Sequence, residues 1–134
     1  MKLWCLLFAL TCASFSSPTS AQPRFEERHV QRLRYLTLIV TCNDRHHLHP
    51  ERADQFAEYL RGELDNFTRL YGIAGAEAVK RELRNFVNII LAGPYTPRGQ
   101  NVRDYCIEAE AIGWIWLQAC KGNDRESCQA IWKR

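Results

Sequence analysis

Three histidines and a cysteine lie within one short polar run of the chain, "TCNDRHHLHPER", from Thr41 to Arg52. Imidazole nitrogens and thiolates are common zinc ligands, and a zinc site needs three or four such groups. The candidate ligands are His46, His47 and His49, and the last two point the same way if the backbone between them is extended. One hypothesis for this run is therefore a small metal site.

The same run also has an interpretation in which it only joins two helices. Pro50 suits the first position of a helix, Glu51 complements the positive end of the helix dipole, and His49 would occupy the capping position. The metalloprotease spacing HExxH and the zinc-finger spacing CxxC are both missing, and Cys42 is expected to be in a disulfide. We therefore favour a corner between helices, and we expect no cofactor.

Residues that could support catalysis are sparse. Beyond residue 21 the only serine is Ser127, which has no GxSxG context, and the sequence contains no glycine-rich phosphate loop or dinucleotide fingerprint. Glu108 and Glu110 are the best carboxylates, but side chains two positions apart on a helix point to different sides and do not converge as an acid and base pair. Glu110 lies near the inner edge of the helix and could be partly buried; we expect it to be a rim carboxylate paired with an arginine. We predict that the protein is not an enzyme.

The first residues are typical of a secretory signal peptide. Lys2 precedes an apolar run of thirteen residues from Leu3 to Phe15, and the small polar stretch "SSPTSAQP" follows. Thirteen residues are too few to cross a bilayer, which needs a helix of about 20 residues. We predict a signal peptide over residues 1–21, no membrane span, and one exported domain over residues 22–134 that is periplasmic or secreted.

Charge and cysteine content indicate which partners to expect and whether the chain contains disulfides. The 18 basic and 15 acidic residues give a formal charge of +3, which provides no reason to expect nucleic acid or an anionic membrane as a partner. Four cysteines follow the predicted signal peptide, and an even number in an exported chain predicts disulfides. These cysteines are Cys42, Cys106, Cys120 and Cys128.

Apolar spacing predicts an all-α fold, an irregular antiparallel bundle of four main helices plus a short C-terminal helix. The stretch "YLTLIVT" in the first helix is β-branched enough to form a strand in isolation. Gly72 is expected to end the second helix, and "Gly93-Pro94" the third. The predicted main helices run from Arg24 to Thr41, from Pro50 to Tyr71, from Gly75 to Ala92, and from about Asn101 to Lys121.

The helices favour one pairing of the four cysteines. Cys106 and Cys120 are fourteen residues apart on one predicted helix, hence about 21 Å apart, and bridged α-carbons lie within about 7 Å. Cys120 and Cys128 flank the turn "KGND", so we favour that bridge and, by elimination, Cys42 with Cys106. The alternative joins Cys42 to Cys120 and Cys106 to Cys128.

The fourth helix contains a segment, "AIGWIWLQAC", that is apolar nearly all round and must be either deeply buried or a contact surface. The predicted inner side of this helix consists of Val102, Tyr105, Cys106, Ala109, Ile112, Gly113 and Trp116. Trp114 and Trp116 point about 200° apart, so both cannot enter the same core. We favour packing of one of them on the short C-terminal helix. The less favoured alternative is a contact with a partner protein, for which Trp114 is the candidate, because tryptophan is enriched at interfaces.

A basic stripe on the first helix is a second candidate surface. Arg24, Arg28 and Arg32 follow at four-residue spacing and would lie on one side of a helix. Such a stripe can dock an acidic partner, but neighbouring Glu26 and Glu27 favour a solvated, salt-bridged surface.

The leading hypothesis is an exported helical protein that binds another protein through an apolar or arginine-bearing helical face. A secreted effector, an inhibitor and an immunity factor would all fit this description. The alternative is a periplasmic metal or small-ligand binder that uses the loop of His46, His47 and His49.

Overall fold

The computed structural model describes residues 24–122, together with residues 126 and 128. These residues contain three helices and no named strand: α1 Glu27–His46, α2 Pro50–Leu91 and α3 Val102–Lys121. The prediction of an all-α fold is confirmed. The predicted signal peptide and most of the predicted C-terminal helix lie outside the described residues. Within the described residues, no helix has a stretch long and apolar enough to cross a membrane.

Helix α1 includes the β-branched stretch that could have formed a strand. The hydroxyl of Thr37 donates to the carbonyl oxygen of Leu33 at 2.7 Å, and that of Thr41 donates to the carbonyl oxygen of Thr37 at 2.8 Å. These bonds satisfy both hydroxyls within the helix. Helix α1 continues five residues beyond the predicted end at Thr41 and stops where His47 adopts a left-handed conformation, with φ 48° and ψ 48°.

The prediction of four main helices is not confirmed, because the predicted second and third helices form the single element α2 of 42 residues. Only Gly72 interrupts it, with φ 76° and ψ 175°. Glycine tolerates this positive φ because it has no Cβ. The two segments therefore meet at one residue instead of being joined by a loop. We call residues 50–71 the first arm of α2 and residues 73–91 the second arm.

The two arms of α2 run in opposite directions along α1. In the first arm, Phe67 packs on the first half of α1 and Phe56 on the second half. In the second arm, Val79 packs on the first half of α1 and Leu91 on the second half. The reversal at Gly72 therefore folds α2 back on itself, and α1 provides the surface that both arms cover.

Helix α3 packs closely on α1. It begins at Val102 and is capped by Asn101, whose side-chain oxygen accepts a hydrogen bond from the backbone N–H of Arg103 at 2.9 Å. At Gly113 a Cβ would overlap the Cδ1 atom of Ile39 and would lie 3.5 Å from Cε1 of Phe56. Glycine at this position therefore permits the close contact between α3 and α1.

Two disulfides join these elements. Cys42 near the end of α1 is bonded to Cys106 near the start of α3, with 5.2 Å between their α-carbons. Cys120 is bonded to Cys128, with 4.8 Å between their α-carbons. These are the two pairs that helix geometry favours. Each bridge is expected to stabilise the fold by about 2–4 kcal/mol, chiefly because it restricts the unfolded chain.

Candidate functional site

The histidine run forms the corner between α1 and α2. His46 is the last residue of α1, and His49 directly precedes Pro50, the first residue of α2. The backbone N–H of His49 donates to the side-chain oxygen of Asn43 at 3.1 Å, which ties the corner back to α1. The positions of His46, His47 and His49 are therefore explained by a corner between two helices.

The geometry gives no support to the predicted metal site at His46, His47 and His49. In the part of the chain that the structure describes, no group of three or more His, Cys, Asp or Glu side chains could hold a metal ion. The imidazole of His49 instead faces two carboxylates: Nδ1 lies 3.6 Å from Glu51 Oε1, and Nε2 lies 3.7 Å from Glu110 Oε2. Metal binding by this run stays a prediction.

Glu110 is the most deeply buried charged residue among those described, with 1% of its surface exposed. Its Oε1 accepts a hydrogen bond from Arg52 Nη1 at 2.9 Å, and the guanidinium of Arg52 lies 4.7 Å from the ring centroid of Trp114. The predicted pairing with an arginine is present, but the rim position is wrong. The carboxylate lies inside because Arg52, at the start of α2, reaches it there.

The second oxygen of Glu110 is also buried, and it accepts no hydrogen bond from the described residues. Two cavities of about 390 and 550 Å³ lie along the first arm of α2, and Glu110 lines neither of them. Glu108 is exposed instead, and it accepts a hydrogen bond from Gln100 Nε2 at 2.8 Å. The two carboxylates therefore do not meet, and Glu110 serves to join α3 to α2.

The arginine stripe is largely engaged with neighbouring carboxylates. Arg28 Nε lies 2.6 Å from Glu26 Oε2, and Arg32 Nη1 lies 3.3 Å from Glu63 Oε1. Arg24 is exposed at the start of the described chain. Exposed ion pairs contribute little to stability, but they neutralise much of the charge that an acidic partner would recognise.

The two tryptophans of α3 have different environments. Trp116 is fully buried, its Nε1 donates to the carbonyl oxygen of Cys128 at 2.8 Å, and its ring lies edge-on to Tyr59 with 5.4 Å between centroids. Trp114 is only partly buried and lies edge-on to Phe56 at 6.0 Å. Trp114 therefore reaches the border between the core and the exposed side of α3.

A hydroxyl on α1 also fixes the position of α3. Tyr35 donates its O–H to the carbonyl oxygen of Ala109 at 3.1 Å. Burial raises the pKa of this hydroxyl well above its ordinary value, and the neighbouring Tyr105 raises it further. The side chain therefore stays protonated and remains a hydrogen-bond donor.

The exposed side of α3 is apolar over most of its length. Ile115 is 70% exposed, Ile107 is 44% exposed, and Ile112 is 43% exposed. From residue 109 to residue 120 the only charged residue is Glu110, which is buried on the other side. We call this surface the outer face of α3, and it consists of Ile107, Glu108, Ala111, Ile112, Ile115 and Gln118.

The prediction that Ile112 lies on the inner side of α3 is wrong, because Ile112 is 43% exposed. Leu117 is fully buried on the inner side instead. The contact of Gly113 with Ile39 and the buried pair of Glu110 with Arg52 fix the rotation of α3. The sequence signal for an outer face was the segment "AIGWIWLQAC", which is apolar nearly all round.

Comparison with known proteins assigns no further residue. No family model matches the chain, and no curated protein or solved structure shows significant similarity to it. A function for this chain can therefore be inferred only from the contacts and exposure of its described residues.

Proposed function

We propose that this chain is an exported helical protein that acts by binding another protein through the outer face of α3, and not by catalysis. The observation that carries the proposal is the exposure of aligned isoleucines, with Ile115 at 70%. Single exposed apolar residues are ordinary, but a largely apolar surface whose one charged residue, Glu108, lies near its end is typical of interaction sites. An effector, an inhibitor and an immunity factor are the classes that this proposal covers.

The rigidity of the outer face supports the proposal. Three contacts hold the opposite side of α3: the disulfide of Cys106, the close approach at Gly113, and the hydrogen bond of Tyr35 to the carbonyl oxygen of Ala109. A surface that is already ordered loses little conformational entropy when a partner binds. The outer face therefore needs no rearrangement before it can make a contact.

Export is part of the same proposal. Disulfides persist in oxidising compartments, and both described pairs are at bonding distance. We expect the natural protein to lack residues 1–21 and to contain no free thiol. An intact mass of the protein from its native compartment tests both points, and an uncleaved leader or free thiols would contradict export.

Site-specific crosslinking tests the outer face directly. A photoreactive amino acid at Ile115 is expected to give one reproducible adduct in the native compartment, identified by mass spectrometry. The matched control is Ile89, which is 79% exposed but lies on the second arm of α2, directly after Asn88 and one turn beyond Asn85. Equal adducts from both positions, or none from Ile115, would contradict the proposal.

A further inference from the structure

The outer face of α3 has the spacing of a helix-pairing seam. Its central residues Glu108, Ala111, Ile115 and Gln118 follow at intervals of three, four and three, and all four are exposed. Alternating intervals of three and four keep side chains on one stripe facing a partner helix. The outer face is therefore suited to an α-helix more than to an extended segment.

The sizes of these residues favour an antiparallel partner of the same sequence. In an antiparallel pair of α3 helices, Ile115 of each copy lies opposite Ala111 of the other, so a large side chain meets a small one. The same register places Glu108 opposite Gln118, whose amide can donate to the carboxylate. A parallel pair would instead bring the two Glu108 carboxylates together, which is repulsive.

The charges at the two ends of α3 agree with that register. Asp104 is exposed in the first turn of the helix, and Lys121 is exposed at its end, where its ammonium donates to the side-chain oxygen of Gln55 at 2.9 Å. Reversal of one helix brings Asp104 of one copy near Lys121 of the other, and the symmetry repeats the contact at the opposite end. Arg103, next to Asp104, is also exposed but lies about 100° from it around the helix. The antiparallel register therefore places Asp104 and Lys121, which have opposite charges, near each other at both ends.

From this pattern we propose that the partner of the outer face is a second copy of this chain, with the two α3 helices antiparallel about a two-fold axis near Gly113. The inference rests on the proposed function, because it names the protein that the face binds. The helix from Asp104 to Gly122 spans about 27 Å and is about 10 Å wide, so each copy buries about 270 Å² there. Stable interfaces bury about 800 Å² per partner, so the dimer is weak and reversible.

Sedimentation equilibrium of the mature, disulfide-bonded chain, from about 10 μM to 1 mM, tests the inference in the range where weak dimers form. The average mass is expected to rise toward twice the monomer mass. Ile115→Glu should raise the dissociation constant at least tenfold, whereas the control Ile89→Glu should leave it unchanged. A monomer mass over the whole range, or equal effects of the two variants, would overturn the inference.

Charge exchange tests the antiparallel register. Asp104→Lys and Lys121→Asp should each weaken the dimer, because each creates like charges at both ends. The double variant should restore association to within about threefold of the original, with far-UV circular dichroism confirming the helical fold of each variant. No recovery in a folded double variant would overturn the register.

The second-copy inference and the proposed function can fail separately. If the chain stays monomeric at 1 mM but residue 115 crosslinks one different protein, the second copy is wrong and protein binding by the outer face remains. If residue 115 crosslinks only another copy of the chain, the inference is supported. If it crosslinks nothing and the chain is monomeric, both proposals are wrong.

Discussion

On each side of α3, one residue departs from the usual distribution of polar and apolar residues. The inner side buries the charged Glu110, and the outer face exposes the apolar Ile115 to 70%. The buried charge has a fixed partner in Arg52, whereas no described residue covers Ile115. The charge of a buried carboxylate is compensated by its ion-pair partner in the same chain. An exposed isoleucine is removed from water only when another molecule covers it. The inner side of α3 therefore stabilises the fold, and the outer face is the side available to a partner.

The largest expected effect comes from the inner side of α3. Arg52→Ala leaves the buried carboxylate of Glu110 without its hydrogen-bond donor, and we expect a loss of about 3–5 kcal/mol of unfolding free energy. Urea denaturation measures it. The control Arg28→Ala removes an exposed ion pair and should change stability by less than about 1 kcal/mol. Equal losses from the two variants would show that the inner ion pair has no special role.

Truncation of one side chain on each side of α3 compares how much the two sides contribute to stability. Leu117→Ala removes a fully buried side chain and should cost about 2–5 kcal/mol, because it creates a cavity. Ile115→Ala, two residues earlier, should stay within about 0.5 kcal/mol at concentrations where the chain is monomeric. Thermal unfolding of both variants is the measurement. A large loss from Ile115→Ala would place this side chain in the core.

The close contact between α3 and α1 gives a smaller effect. Gly113→Ala places a methyl group against Ile39, and we expect a loss of about 1–3 kcal/mol through overpacking. The double variant Gly113→Ala with Ile39→Val provides space for the methyl group and should recover part of the loss. An unchanged or raised unfolding free energy in the single variant would contradict the tight contact.

The smallest effect concerns alkaline pH. The folded-state pKa of Tyr35 is raised by burial, so the stability that this creates is complete below the unfolded pKa of about 10 and is lost as pH rises above it. Tyr35→Phe removes the hydrogen bond to Ala109, and should cost about 0.5–1.5 kcal/mol at neutral pH. The same substitution should also make the loss of unfolding free energy above about pH 10 smaller. Identical pH profiles would contradict the burial of this hydroxyl.

The sequence predicted those features of the fold that depend on neighbouring residues. Apolar spacing predicted helices, and Gly72 predicted an interruption of the helix. The separation of about 21 Å along one helix excluded a disulfide between Cys106 and Cys120. It predicted most of the inner side of α3, including buried Trp116, but wrongly placed Ile112 there, because a segment apolar nearly all round does not define the edge of its inner side. For the same reason the outer face could be predicted only as one of two outcomes.

The all-α fold and the favoured pairing of the cysteines follow from local periodicity and helix length, so the amino-acid sequence is enough to predict them. The complete burial of Glu110 and the exposure of Ile115 follow from how the helices pack. Those positions depend on contacts with residues distant in sequence, such as Arg52 and Ile39, whose locations are set by how the helices pack. Local spacing contains no information about which neighbour a helix meets, and that neighbour determines which side of α3 remains exposed.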